Sequence, residues 1–147
     1  MNKKLSKFIQ TVIKKSPYYS KWAKKEELKR FSPASLKKEF KNKDNLCMTT
    51  LKKGEMVGVV NGYYDAGMFW VDWLVVDPDC RRKGIGRELM ERLEKKLKQK
   101  DVHKIWCDSR TSNLESKSLL VNLGCNRITT IKNHWYKQDF ILWQKLI

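Results

Sequence analysis

Leu5, Phe8, Ile9, Val12 and Ile13 recur at i, i+3, i+4, i+7 and i+8 with Lys and Ser between them, the single apolar stripe of an amphipathic helix. Ser16-Pro17 closes it, because proline lacks a backbone donor and restricts the residue before it. A second helical stretch, Trp22 to Phe31, is poorly periodic. Ser32-Pro33 then supplies an N-cap and a proline at the first helical position, opening a short helix that carries Leu36 and Phe40. From Leu46 the period changes to two. Leu46, Met48 and Thr50, then Met56 to Tyr64, then Met68 to Val76 are separated by Lys53-Gly54 and Asp65-Ala66-Gly67 turns, which predicts an antiparallel meander of three strands. Asp77-Pro78 ends the third. After Arg81 to Gly86 the helical period returns, with Ile85, Leu89, Leu93 and Leu97 in line, Met90 beside them, and Glu88/Arg92, Glu91/Lys95 and Glu94/Lys98 on the outer face. Val102 to Asp108 reads as a strand. Ser112 with Glu115 reads as a capping box for a helix through Ser116, Leu119, Leu120 and Leu123 to Gly124, and Asn126 to Ile131 and Trp135 to Ile147 as a final strand pair.

Composition adds bounds. A chain of 147 residues favours one domain, and 41% hydrophobic with 11% aromatic residues is enough for a packed core, which excludes intrinsic disorder. The net charge is +16, and it is uneven: residues 1 to 54 hold fifteen Lys and one Arg against four acidic residues, net +12, while the other 93 residues carry +4. Such a face attracts nucleic acid, an anionic membrane or a polyanionic small molecule. Lys outnumbers Arg 25 to 7, and Lys is the more strongly hydrated of the two, so much of this charge reads as a solvated surface. Cys47, Cys80, Cys107 and Cys125 form no C-x-x-C and have no neighbouring His, so a structural metal is not expected. Met1 to Lys15 lacks the apolar run of a signal peptide, and no stretch approaches the ~18 consecutive apolar residues of a membrane span. The expectation is a cytoplasmic protein with reduced thiols and no membrane partner.

The candidate chemistry lies in Leu74-Val75-Val76-Asp77-Pro78-Asp79-Cys80-Arg81-Arg82-Lys83-Gly84-Ile85-Gly86, a buried strand feeding a basic, Gly-containing loop that opens a helix. The first amides of a helix have no intrahelical partner and sit at the positive end of its dipole. Gly84 and Gly86 let an anion approach, and Arg81, Arg82, Lys83 and Arg87 add charge. Neither the G-x-x-x-x-G-K-[ST] nor the G-x-G-x-x-G spacing is present, so the phosphate carrier is neither of those nucleotide types.

Arg81, Gly84 and Gly86 match [RQ]-x-x-G-x-[GA], and over about residues 45 to 147 the chain resembles the GNAT superfamily of acyl-CoA N-acyltransferases. The resemblance implies a single domain over 1–147 of α/β (α+β) class. Its mixed, mostly antiparallel central sheet is flanked by helices, with a splay, usually made by a bulge, between the family's fourth and fifth strands. It further implies that Leu74, Val75 and Val76 pair with the pantetheine arm of acetyl-CoA, that residues 81 to 87, Ile85 among them, hold its pyrophosphate, and that no metal takes part. Residues 45 to 147 would form the cofactor core and the basic helices of residues 1 to 44 the acceptor side. The family's usual first strand is not evident; either the sheet lacks it or residues 16 to 20 supply it.

Trp106-Cys107-Asp108-Ser109-Arg110-Thr111-Ser112-Asn113 is similar to a stretch of the branch that includes ribosomal-protein N-terminal alanine acetyltransferases. By that resemblance Asn113 contacts the cofactor and Asp108 fills the general-base position, one methylene shorter than the usual Glu. Leu120 stands where the family usually has the Tyr that protonates the departing thiolate. Tyr136 is the candidate substitute, and His134 and Trp135 beside it face the acceptor side. Asp72 is a second candidate base, since it shares strand parity with Leu74 and Val76. The implied partners are acetyl-CoA and an amine acceptor, an acidic one fitting the Lys-rich third; a homodimer is allowed. A nucleic-acid-binding module is the alternative from another class, resting on Phe8, Tyr18, Tyr19, Trp22 and Phe31 in the basic third, but Phe8 belongs to the core-facing stripe and no RNA-module signature is present. A fold that binds CoA without catalysis is the third reading, resting on Leu120.

Overall fold

The computed structural model describes residues 2–147. Helices α1 (Asn2–Lys15), α2 (Lys21–Arg30) and α3 (Pro33–Glu39) precede strands β1 (Asn45–Lys52), β2 (Glu55–Asp65) and β3 (Met68–Val76). Then follow α4 (Ile85–Lys98), β4 (Lys104–Arg110), α5 (Leu114–Asn122), β5 (Asn126–Ile131) and β6 (Phe140–Leu146). The strands form one open mixed sheet in the order β1-β2-β3-β4-β6-β5. Only β3 and β4 run parallel, as the intervening α4 crossover requires.

Two apolar clusters sandwich the sheet. Ile85, Leu89, Met90, Leu93 and Leu97 of α4 and Leu120 of α5 pack with Val60, Phe69, Val71 and Ile105 on one face. Leu5, Ile9 and Ile13 of α1 join Phe31 and Leu36 over Val59 and Trp73 on the other. The anticipated α1 stripe and the Ser32-Pro33 start of α3 are present, with Ser32 accepting from the Ser35 amide. The weak periodicity of α2 has a physical cause: its buried positions are Ala23 and Glu27, a small residue and a carboxylate, so no apolar stripe is written in the sequence.

One open alternative is resolved and three expectations change. Among the described residues the sheet begins at Asn45, and residues 16 to 20 supply no strand. The cap of α5 is Asn113, whose side chain accepts from the Ser116 amide at 3.1 Å; Glu115, expected in a capping box with Ser112, instead pairs with Arg81 at 2.6 Å. The last strand starts at Phe140, because residues 135–137 form a 3-10 turn with Tyr136 in the left-handed region. On α4, Glu91 lies 4.0 Å from Arg87 rather than pairing with Lys95, while Glu88/Arg92 and Glu94/Lys98 pair as expected.

β3 carries the feature that shapes the site. Asn61 opposes Trp73 and Gly62 opposes Val71, so Asp72 is an extra residue with no partner on β2, a β-bulge. The alternation of β3 shifts there. Phe69 and Val71 face α4, Trp73 and Val75 face α1 to α3, and Leu74 and Val76 face α4 again. Pairing with β4 stops close to the bulge: Val71 opposite Cys107 is the last pair, and from Asp72 onward β3 has no neighbour on that side. This is the splay anticipated between the family's fourth and fifth strands, here β3 and β4.

Candidate functional site

A cleft of about 700 Å³ opens at the splay. Its walls include Leu74, Val75 and Val76 of β3, the loop and first turn of α4, Asp108 of β4, Asn113 and Leu120 of α5, and Tyr18 and Tyr19 of the α1–α2 connection. Since β3 pairs only with β2 along this stretch, its outer edge offers unclaimed backbone groups to an extended ligand.

The loop is built for an anion. The Cys80 and Arg81 amides bond back to Asp77 and Pro78, and Glu88 bonds to Gly84, but the amides of residues 82 to 87 between them find no acceptor among the described residues. Gly84 caps α4 with φ of 78°, and a Cβ added there would meet nothing within 4 Å. The space beside it is open to a ligand. Gly86 serves another purpose: it is buried, and a Cβ would come within 2.9 Å of Leu119 Cδ2, so its missing side chain brings α4 and α5 together. The cations also divide. Arg81 is committed to the Val76 carbonyl (3.3 Å) and Glu115 and so fastens the loop, and Lys83 reaches the Asp79 carbonyl (3.1 Å). Arg82 and Arg87 are exposed at the loop, Arg82 with φ of 58°.

Across the sheet plane the groups are tied to one another. Asp108 accepts from Trp135 Nε1 at Oδ2, 2.9 Å away. Burial pushes its pKa up, while the indole, His134 and Arg110 oppose that and Asp72 adds to it. His134 packs 4.5 Å from the Trp135 ring. Asp72 does not project with Leu74 and Val76 as strand parity predicted: the bulge turns it toward α2, where Arg30 pairs with it. Tyr136 lies outside the cleft. Its hydroxyl donates to Glu27 Oε1 at 2.7 Å, its ring meets Trp22 edge-on, and it borders a second, shallow cavity with Trp22, Glu26, Lys29, Arg30 and Ser35.

Sequence reasoning missed Glu27, Arg30, Arg110 and Tyr19. Glu27 is 6% exposed, and Oε2 has no hydrogen-bond partner; burial raises its pKa, against the Tyr136 hydroxyl and Arg30. Arg110 stacks 3.9 Å from the Tyr19 ring, and its Nε donates to Gln138 Oε1 at 2.9 Å. Burial pushes the Tyr19 phenol up to about 12, with Arg110 opposing. A charged residue among the core positions of α2 was the one available signal for Glu27.

A splayed mixed sheet with a glycine loop at the mouth of the splay defines the acyltransferase fold class anticipated from the motif. Residues 13–125 match the Acetyltransferase (GNAT) family, and the chain belongs to it. It is 36% identical over 66 residues to the [ribosomal protein bS18]-alanine N-acetyltransferase of Escherichia coli K12, a match covering 45% of each chain. It is 35% identical over 78 residues to acetyltransferase ECA0875 of Pectobacterium atrosepticum, covering 53% of this chain and 55% of that one. The chain thus spans about half the length of these curated relatives. Among solved structures, the PaiA N-acetyltransferase of Thermoplasma acidophilum in complex with coenzyme A superposes with a TM-score of 0.85 at 17% identity, over 99% of this chain and 92% of that one. The ribosomal-protein-S18-alanine N-acetyltransferase of Escherichia coli gives 0.76 at 20% identity, over 97% and 87%.

Proposed function

We propose that the protein is an acetyl-CoA-dependent N-acetyltransferase that moves an acetyl group directly to a primary amine, of a small molecule or of a protein N-terminus or lysine. The observation that carries this reading is the single cleft joining the unpaired edge of β3 to the partnerless amides of residues 82 to 87. An extended arm with a pyrophosphate end fits those two features in that order. Acetyl-CoA supplies the thioester that the amine attacks.

The chain's part is positioning and charge. The amides of residues 82 to 87, with Arg82, Lys83 and Arg87, hold the pyrophosphate at the positive end of α4. Leu74 to Val76 align the arm, and a backbone N–H of Val75 or Val76 hydrogen-bonds the carbonyl oxygen as charge develops there. Asn113 spends its Oδ1 on capping α5 and keeps Nδ2 for the cofactor. Asp108 takes the amine proton, directly or through a water. Leu120 has no proton to give, Tyr136 is engaged with Glu27, and burial makes the Tyr19 phenol a weaker acid than the thiol it would create, so the departing thiolate takes its proton from solvent.

In this reading residues 1 to 44 form the acceptor wall. Asp72 and Asp108 attract the cationic form of an amine, while the Lys-rich outer surface of α1 to α3 favours an acceptor with an acidic body. Four free thiols fit a cytoplasmic setting, and among the described residues no helix is long and apolar enough to cross a membrane. The test is a thermal shift with acetyl-CoA, where a ligand at 100 times its dissociation constant adds about 2.7 kcal/mol, followed by thiol release across an amine panel. No shift with acetyl-CoA overturns the reading. A shift without turnover on any amine favours a binding fold over an enzyme.

A further inference from the structure

The turn between β5 and β6 is costly and tightly held. Asn133, Tyr136 and Lys137 all take positive φ, of 49°, 54° and 57°. Side chains rarely adopt this conformation, and it persists where the surroundings fix it. Here the Asn133 amide donates to Asp139 Oδ1 at 2.8 Å, His134 N donates to Gln138 O at 2.8 Å, and Gln138 Nε2 donates to Tyr18 O at 3.0 Å. The outcome of this effort is one placement. Trp135, 53% exposed and so contributing little to the core, has its indole N–H on Asp108 Oδ2.

We infer that Trp135 is a positioning residue for the acceptor-side carboxylate: its indole fixes one oxygen of Asp108 and leaves Oδ1, which has no protein donor among the described residues, aimed at the incoming amine or its water. The inference rests on the reading of Asp108 as the proton acceptor. It explains how a carboxylate one methylene shorter than Glu acts in a defined orientation, since a hydrogen bond to a single oxygen sets the torsion of the group. The same bond favours the ionised form. Three other titratable groups face Asp108: His134 from the turn and Arg110 from β4 favour its ionisation, and Asp72 from β3 disfavours it. Leu142, opposite on β6, brings no charge.

Trp135→Phe keeps an aromatic ring against His134 and removes only the donor. The pH dependence of kcat/KM is measured for the wild type, Trp135→Phe and Asp108→Asn with one amine, whose own ionisation is common to all three. Losing a hydrogen bond to the charged form raises the carboxyl pKa, so the acid limb of Trp135→Phe moves to higher pH by roughly half to one unit, with KM for acetyl-CoA unchanged. Asp108→Asn removes that limb. A second readout is independent of turnover: of the six indole N–H resonances, one shifts with the same midpoint as the limb, is missing in Trp135→Phe and stays fixed in Asp108→Asn. If Asp108→Asn loses the limb while Trp135→Phe superposes on the wild type, the positioning role is wrong and the base reading stands. If Asp108→Asn keeps the limb, both fall.

Discussion

The two sides of the splay handle charge in opposite ways. On the α4 side Arg82 and the amides of residues 82 to 87 have no partner among the described residues, Arg87 has only Glu91 at 4.0 Å, and Gly84 leaves the space before them open. Across the splay the groups that gather at its other end engage one another: Arg30 with Asp72, Tyr136 with Glu27, Asp108 with Trp135, Arg110 with Gln138 and the Tyr19 ring. A surface that receives an anion must keep its donors unspent until the ligand comes. A surface that moves a proton must instead hold its groups at fixed angles beforehand, because orientation supplies much of the rate. Under the proposed function, the contrast separates a binding half from a reacting half.

The contrast breaks most readily at Gly84. Gly84→Val forces a β-branched residue into the left-handed region and fills the open space that the proposed function gives to the pyrophosphate. Acetyl-CoA affinity is expected to fall about 100-fold or more, while far-UV circular dichroism stays that of the wild type; calorimetric titration reads this, and retained affinity refutes the loop assignment. Asp108→Asn should do the reverse, lowering kcat by about 10²-fold or more and leaving cofactor affinity intact in the same titration. Tyr136→Phe tests whether the reacting half is held by its own bonds. It strips the donor from buried Glu27 at a cost of about 1–2 kcal/mol, so Tm falls by roughly 3–6 °C, and the stability that acetyl-CoA adds is unchanged. A large fall in kcat without loss of Tm would return Tyr136 to the role of proton donor.

The smallest expected effect concerns stability against pH. Because the folded-state pKa of Asp108 lies above its ordinary value, the native state binds the proton more tightly than the unfolded chain between those two values. Stability from this group is thus lost as pH rises through that window, and at neutral pH the ionised carboxylate is a cost. Asp108→Asn should raise Tm at pH 7, with the gain shrinking as the buffer is taken down through the window. Differential scanning fluorimetry over a pH series checks the sign.

The binding half was legible in the sequence because its chemistry is local. A strand exit, a glycine loop and a helix start are contiguous, so the spacing of Arg81, Gly84 and Gly86 carries the geometry. The reacting half is assembled from α2, β3, β4 and the β5–β6 turn, with Glu27 and Tyr136 separated by 109 residues. No spacing rule links such pairs. Asp108 and Trp135 were both read from the chain, but the bond between them was not. For Asp72 the period-two rule gives the wrong face because β3 itself carries no Gly or Pro; the glycine that marks the bulge, Gly62, lies across from it on β2.

That one extra residue acts on β3 as a frameshift acts on a message. Upstream of Asp72 the odd-numbered positions Phe69 and Val71 are written for the α4 chamber; downstream, the even-numbered Leu74 and Val76 are, and Trp73 and Val75 pass to the other chamber. Tolerance to polar substitution along residues 68 to 76 should follow an alternation that changes phase at Asp72. Removing Asp72 outright would restore an unbroken alternation with every other side chain of β3 still facing its present chamber, so what the deletion takes away is the bulge itself and the partner of Arg30.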